Sequence, residues 1–438
     1  MAQIEAVCVQ DNSSDSDDSG NDEEADLKQN PNVELSDDDG DPPPVRVLLL
    51  AFMFMFQGYG VMVGSPAHAL KVKLGVTADM ADEFQEATAS FQLAKLSMRI
   101  LQIAFLVFVQ PNGIVYISYV VMMAGLLVPV VFVWGAGVTG MWVVYLQYIL
   151  GGIAVGLFEG TFLSVISSLG KNTKTFAIMG APLGFFLNNT VLATFTLMGM
   201  PVIFYYLFGI ATLPVAMWIY HKHRPDADPA SKGKGCAVFM HSMKHAMEWM
   251  PLMLPWFLAK FIGNFVLEDG FPLLFNTFNT QRVPFWGGPA DTENTIPFSA
   301  YTAFYWFPMM AAGDTISRRL PRYVSLTSWQ KCYMYLGIAI LLCVGGEALT
   351  FLLIAIVTGI ATFISNFGNG FIYGLSAKYI DSYIAEEHRY AAYNLWCFCG
   401  DLGGYAGQGG MSVSLAHKAC AGKEYTYVCH GSSHGKHR

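Results

Sequence analysis

IVYISYVVMMAGLLVPVVFVW, running from Ile114 to Trp134, is a stretch of 21 residues without one charged side chain. An α-helix rises about 1.5 Å per residue, so about 20 apolar residues cross the hydrocarbon core of a bilayer. A membrane β-strand would alternate apolar and polar positions over about ten residues. This run is apolar on every side, and it reads as a transmembrane helix.

The same signal recurs along the chain. Spans are expected at about 46–67, 89–110, 114–134, 141–168, 176–198, 201–220, 251–275, 297–313, 325–345, 348–376 and 391–416, eleven in all. Composition agrees. Of the 438 residues, 53% are hydrophobic and 13% charged, against roughly 25% charged in an average soluble domain. A water-soluble enzyme, a nucleic-acid binder and a disulfide-rich secreted domain are poor fits, and the eight cysteines are too scattered for a disulfide scaffold. The chain is an all-α polytopic membrane protein.

Its net charge of −8 is unevenly placed. Residues 1–44 hold fourteen acids and only Lys28 as a base, a segment of −13, which leaves +5 for the rest. With almost nothing apolar to bury, such a tail is expected to be disordered. Ser14, Ser16, Ser19 and Ser36 stand among its acids, a setting for acid-directed kinases, and cytosolic partners or kinases are candidate ligands of this tail. The plain alternative is a solvated tail with no specific role.

Lys and Arg are concentrated in the loops on the N-terminal side, thirteen of them, including Lys171, Lys174, Lys222, Arg318 and Arg389. The opposite loops carry three, Lys71, Lys73 and Arg282. By the positive-inside rule the N-terminus is cytosolic. The longest interior polar loop, 221–250, divides six spans from five and contains an amphipathic piece, Val238 to Trp249. The expected organisation is a tail (1–44), a six-helix bundle (45–220), a cytosolic linker (221–250), a five-helix bundle (251–416) and a polar C-terminal tail (417–438). Two bundles joined this way resemble the layout of major-facilitator transporters, whose halves rock around a midplane site. Gly313-Asp314-Thr315-Ile316-Ser317-Arg318-Arg319 resembles the short acid-to-arginine loop signature of that superfamily, with Asp314 and Arg318 at i,i+4 so that they can pair. An ordinary basic cytosolic loop is the alternative.

Ionisable groups inside spans are costly and usually face a cavity or a partner. Glu159 sits in the fourth span, Lys95 and Arg99 one turn apart in the second, and Asp401 in the last among Gly400, Gly403, Gly404 and Gly407. Lys260, Asn264 and Glu268 repeat at i,i+4 in the seventh, with Asp269 beside them, and Asn188 lies next to Asn189 in the fifth. Lys95 is close enough to its expected helix start to snorkel. Glu159 and Asp401 have no in-helix partner, which makes them candidates for a proton relay. Both signs are present, so the outlined polar site suits a zwitterionic or phosphate-bearing solute. Lys260 and Glu268 pairing within their own bundle is the structural alternative. The glycines around Asp401 either allow close helix approach or form a gating point.

No phosphate-cradling G-x-x-x-x-G-K-[ST] loop, H-E-x-x-H or G-x-S-x-G occurs, so no ATP-driven pump of that kind, enzyme or cofactor is expected. Nor is a metal site: Cys397 and Cys399 form a lone C-x-C whose side chains point apart on a helix, and the histidines cluster in loops. Cys420 and Cys429 flank a polar stretch on the expected non-cytosolic side, where a disulfide can form.

Several patches resemble the battenin family, lysosomal and vacuolar membrane proteins within the major-facilitator superfamily. Gly156-Leu157-Phe158-Glu159-Gly160-Thr161-Phe162-Leu163-Ser164 is similar to its fourth-helix motif G-L-x-E-x-T-F-L-S, and Gly270-Phe271-Pro272-Leu273-Leu274-Phe275 to the end of its seventh helix. Tyr305 with Ile316-Ser317-Arg318, and Glu387-His388-Arg389 with Asp401 and Gly403, resemble two further family patterns. The chain departs from them at Ser365, where the family has an acid, and at Glu268-Asp269-Gly270, where it has Asn-Gln-Gly. The resemblance implies an endosomal, lysosomal or vacuolar protein tied to lumenal pH and to export of glycerophosphodiesters or basic amino acids. It carries over Glu159, Arg318, Arg389 and Asp401, the two arginines as gate or loop ion-pair residues.

The expected function is a solute transporter using alternating access, linked to protons through Glu159 or Asp401. An equilibrative nucleoside-type carrier, with a similar span count and loop, is one alternative. A non-transporting organiser that recruits partners through its acidic tail is another.

Overall fold

The computed structural model describes residues 45–76, 80–225, 234–277, 282–286, 295–350, 352 and 354–407. The tails 1–44 and 417–438, with Cys420 and Cys429, lie outside the described residues. What is described is helical apart from one two-stranded antiparallel ribbon, β1 (Arg282–Pro284) on β2 (Thr295–Pro297).

The N-terminal half holds α1 (Leu48–Val63), the short α2 (Ser65–Lys73), α3 (Ala81–Phe108), α4 (Pro111–Pro129), α5 (Trp142–Ile166), a rod broken into α6 (Lys171–Ala177), α7 (Gly180–Phe186) and α8 (Ala193–Leu197), and α9 (Ile203–His223). The linker supplies α10 (Lys234–Lys244). The C-terminal half holds α11 (Ala246–Thr277), the short α12 (Phe298–Tyr301), α13 (Phe307–Arg319), α14 (Trp329–Thr350), α15 (Ala355–Tyr383) and α16 (Glu386–Tyr405). Three π turns interrupt the rods: Val130–Gly135 after α4, Leu187–Leu192 between α7 and α8, and Thr302–Trp306 between α12 and α13. The last two pack against each other across the halves.

Seven stretches of the described residues are long and apolar enough to cross a membrane: 111–135, 142–169, 173–197, 203–223, 246–268, 329–350 and 355–383. The other expected spans fall on α1, which is shorter, on α3 and α16, which carry the buried charges, and on the composite of α12, its π turn and α13. Two boundaries differ from expectation. The second span begins at Ala81 rather than near 89, which puts Lys95 in mid-helix. The seventh begins at Ala246, inside the segment read as linker, because the amphipathic piece there divides into α10 and the first turn of α11. Trp249 Nε1 donates to Ser242 O at 2.9 Å and Ser242 Oγ to Glu387 O at 2.9 Å, fixing the linker against the start of α16.

Apolar side chains cover the outside as well as the inside. Leu341 is 72% exposed, Leu254 64% and Trp218 62%, a distribution that suits a surface solvated by lipid rather than water. Several helices approach backbone to backbone at glycine, as expected where lipid removes the hydrophobic drive for association and close packing must supply it. A Cβ on Gly180 of α7 would lie 2.5 Å from Leu49 O of α1, and one on Gly156 of α5 would lie 2.8 Å from Lys95 O of α3. Gly403 meets Phe261 O of α11 in the same way, so close approach accounts for that residue of the last-span cluster, while Gly409 and Gly410 lie outside the described residues.

Gly180→Val therefore forces two backbones apart and is expected to cost about 1–3 kcal/mol. Gly337→Ala, on the exposed side of α14 with nothing within 4 Å of the new methyl, should gain up to about 1 kcal/mol. Thermal unfolding of the two variants in one detergent measures both; a Gly180→Val protein as stable as the parent would contradict the packing described.

Candidate functional site

The intramembrane charges meet at the centre. Arg99, on α3, donates from Nη2 to Glu159 Oε2 of α5 at 2.7 Å and from Nε to Asp401 Oδ2 of α16 at 2.8 Å. Lys95, one turn before it, reaches Asp401 Oδ1 at 2.5 Å. The side chains of Arg99 and Asp401 are 1% and 2% exposed. Lys95 therefore does not snorkel; the long N-terminal extension of α3 buries it. Glu159 and Asp401, which have no partner on their own helices, are matched by cations of α3.

The second carboxylate oxygen of Glu159 accepts from Tyr373 Oη of α15 at 2.9 Å. Lys260 of α11 lies nearby, with Nζ 4.6 Å from the Tyr373 ring centroid and 5.1 Å from that of Trp396. It donates to Asn264 Oδ1 at 3.0 Å, and Asn264 Nδ2 donates to Gly400 O at 2.9 Å, so the stripe along α11 faces α16. Glu268, two turns further, accepts from Gln92 Nε2 at 3.5 Å. The cluster thus joins α3 and α5 of one half to α11, α15 and α16 of the other. Lys95–Asp401 and Arg99–Asp401 close across the interface between the halves, and Arg99–Glu159 within the N-terminal half.

Two expected site residues lie elsewhere. Asn188 donates to Gly60 O at 2.8 Å and ties its π turn to α1. Arg389 donates to Ile384 O at 3.1 Å and Asp381 O at 3.0 Å, so it caps the end of α15 and does not make the expected carboxylate pair. Asp269 falls in α11, but its side chain is outside the described residues.

A second polar layer lies toward the side with the basic loops. Arg318 grips Asp314 in a fork, with Nε to Oδ1 at 2.7 Å and Nη2 to Oδ2 at 2.9 Å. Its remaining Nη1 crosses to Ile178 O of the N-terminal half at 3.0 Å. Arg319 donates to Thr175 Oγ1 at 2.7 Å with its guanidinium 3.8 Å from the Phe176 ring centroid. Lys174, just beyond the fifth span's start, binds both oxygens of Asp381 at 2.8 and 2.9 Å and Tyr393 Oη at 2.8 Å. Apart from the Arg318–Asp314 fork, these contacts cross between the halves. The sequence reading counted Lys174 only as a loop charge and passed over Asp381 and Tyr373. An acid closing an apolar 29-residue helix on the side that collects bases was the available signal for Asp381. Tyr373 had none. Among the described residues no group of three His, Cys, Asp or Glu is placed to hold a metal ion.

By sequence, no protein-family model and no curated protein matches the chain. By structure it is similar to the human organic anion transporter MFSD10 (TETRAN), with a TM-score of 0.64 and 12% identity over 90% of this chain and 98% of that one. FucP, a major facilitator superfamily transporter in the outward conformation, gives a TM-score of 0.55 at 12% identity over 83% of this chain and 89% of its own. The proton:xylose symporter XylE bound to 6-bromo-6-deoxy-D-glucose gives 0.58 at 12% identity, over 84% and 87%. The chain has the major-facilitator fold.

Removing one partner of a buried ion pair leaves the other uncompensated, at about 3–5 kcal/mol. Arg99→Gln, which leaves Glu159 with only the Tyr373 hydroxyl and Asp401 with Lys95 alone, should fall within that range. Asn188→Ala, which deletes one neutral hydrogen bond, should cost about 1 kcal/mol. Denaturation of both variants in matched micelles tests the ranking, and equal losses would show that Arg99 does not organise the centre.

Proposed function

We propose that this protein is a solute carrier whose two helical halves rock to expose a central polar site to one side of the membrane at a time. The observation that carries the reading is the distribution of polar contacts. Among the described residues three of the five buried ion pairs at the centre and at the basic face, Arg99–Asp401, Lys95–Asp401 and Lys174–Asp381, join one half to the other, while Arg99–Glu159 and Arg318–Asp314 stay within a half. Contacts of that kind can be exchanged as a set when the halves tilt, while the apolar packing inside each half persists. With the basic loops on the cytosolic side, Lys174–Asp381, Arg318–Ile178 and Arg319–Thr175 form the cytosolic closure.

Proton linkage follows from the same arrangement. Asp401 belongs to one half and both of its cations to the other. Tilting that separates them leaves a carboxylate that must find another cation or take a proton. The battenin-like patches around Glu159 and between Glu387 and Gly403 support an endosomal, lysosomal or vacuolar membrane as the site of action.

Replacing Lys174 and Asp381 by cysteines tests the carrier reading directly. Bridging the two thiols with a disulfide-containing bifunctional reagent, long enough to span what the lysine side chain spanned, should lock the cytosolic closure, stop efflux of solutes from proteoliposomes loaded with a cytosolic metabolite extract, and be reversed by reductant. The organiser alternative predicts no effect of the cross-link and a loss of function on deleting residues 1–44. For the proton, Asp401→Asn and Glu159→Gln should each weaken the dependence of that efflux on a pH gradient; unchanged dependence in both variants would sink the linkage.

A further inference from the structure

The basic face holds arginines that no acid answers. Arg46, just before α1, stands with its guanidinium 5.3 Å from the centroid of the Phe176 ring, and Arg319, at the end of α13, stands 3.8 Å from the same centroid. Arg322 and Arg46 both lie within electrostatic reach of Arg319. Arg46 and Arg322 are exposed, while Arg319 is half-buried and donates to Thr175 Oγ1. Among the described residues none of the three forms an ion pair, since Asp314 is held by Arg318 and Asp381 by Lys174. Of the other described acids on this side, Glu248 and Glu387 stand beside His245 and His388, and Glu386 opens α16. Three like charges so placed repel one another and attract an anion. They also straddle the closure: Arg46 and Phe176 belong to the N-terminal half, Arg319 and Arg322 to the C-terminal half.

An independent observation says which anion is at hand. Val45 N donates to Thr173 Oγ1 at 3.3 Å, on α6 with Thr175 and Phe176. The segment before Val45 therefore starts beside the cluster and on its side of the membrane, whichever side that is. That segment carries a charge of −13, and its densest stretch, Glu34-Leu35-Ser36-Asp37-Asp38-Asp39-Gly40-Asp41, has five acids and no base. Only Pro42, Pro43 and Pro44 separate Asp41 from Val45. Four residues span at most about 14 Å even when fully extended, and a tether that short holds a ligand at about millimolar effective concentration. One exposed ion pair is weak, but several acids on one tether meet several cations together.

We propose that the acidic stretch Glu34–Asp41 docks on Arg46, Arg319 and Arg322 and staples the two halves together at the closure, so that the chain carries its own brake. The docking stands on the unanswered arginines and the length of the tether; only the braking rests on the carrier reading above. The partner is a segment of the same chain, and it competes with any lipid headgroup for the same three guanidinium groups.

The test uses the full-length chain in phosphatidylcholine nanodiscs, with a benzophenone photo-crosslinking amino acid in place of Leu35. Irradiation and peptide mapping then read which segments the tail reaches. A second protein carries the same probe with Glu34→Gln, Asp37→Asn, Asp38→Asn, Asp39→Asn and Asp41→Asn, a tail of equal length and tether without the charge. A third keeps the acids and carries Arg46→Gln with Arg322→Gln; both arginines are exposed, so no buried contact is lost. The charged tail should cross-link to peptides around Phe176 and Pro321 about three- to tenfold more than the neutral tail. That excess should vanish in the third protein, and as salt rises from about 0.1 M to about 1 M. Equal yields from charged and neutral tails, or an excess that survives loss of the arginines, overturns the docking. An excess abolished by adding phosphatidylserine to the nanodiscs gives the arginines to lipid headgroups and overturns it too. Efflux of the cytosolic metabolite extract from proteoliposomes is measured in parallel. The neutral tail and the arginine variant should each speed it by a similar factor, and the two together by no more than either alone. Docking with efflux unchanged by neutralising the tail overturns the brake. No efflux from any of the proteins overturns the carrier reading and leaves the docking to the cross-links.

Discussion

One guanidinium between two carboxylates sets the terms for the rest of this molecule. Arg99 can be buried only because Glu159 and Asp401 answer it from either side, at 2.7 and 2.8 Å, and an unanswered charge at that depth is among the costliest features a membrane helix can carry. Satisfying it demands that α3, α5 and α16 come close together, although they belong to different halves. Glycines make the approach feasible: Gly156 and Gly160 on α5, and Gly403 on α16, where it meets α11. The electrostatic requirement and the small-residue pattern are thus one constraint seen at two levels, charge and shape.

From this centre the polar contacts extend toward the basic face through Tyr373. Its hydroxyl donates to Glu159, while Lys260 and Arg318 both stand over its ring, at 4.6 and 4.2 Å from the centroid. Arg318 in turn holds Asp314 and reaches Ile178. One rigid aromatic side chain therefore touches both the central cluster and the closure.

The helices were legible because lipid leaves little choice: a run such as Ile114–Trp134 has one way to satisfy its backbone. The charges of the centre were legible as individuals, since each interrupts an apolar run. Their pairing was not. Arg99 and Asp401 are 302 residues apart, and no periodicity links them; only the packing of the two halves does. A separation of 207 residues hid Lys174 from Asp381, and each looked like an ordinary helix-end charge. Lys95 was misjudged through a helix start placed eight residues late, since the polar first turns of α3 do not look like membrane. Arg389 shows the converse error. Its place in a motif suggested an ion pair, yet the carbonyls ending α15 were nearer and claimed it.

The π turns bear on how such a structure moves. Leu187–Leu192 and Thr302–Trp306 sit in opposite halves and rest on each other. A π turn inserts an extra residue into the helical ladder and holds it with poorer hydrogen bonding than the α-helix around it. Two stiff rods that touch at their stiffest points would slide or separate under load. Rods that touch where each is most compliant can instead bend about the shared contact, as a hinge whose two leaves yield together. In the rocking proposed above, this point of meeting between the halves would be the fulcrum, built from backbone geometry alone.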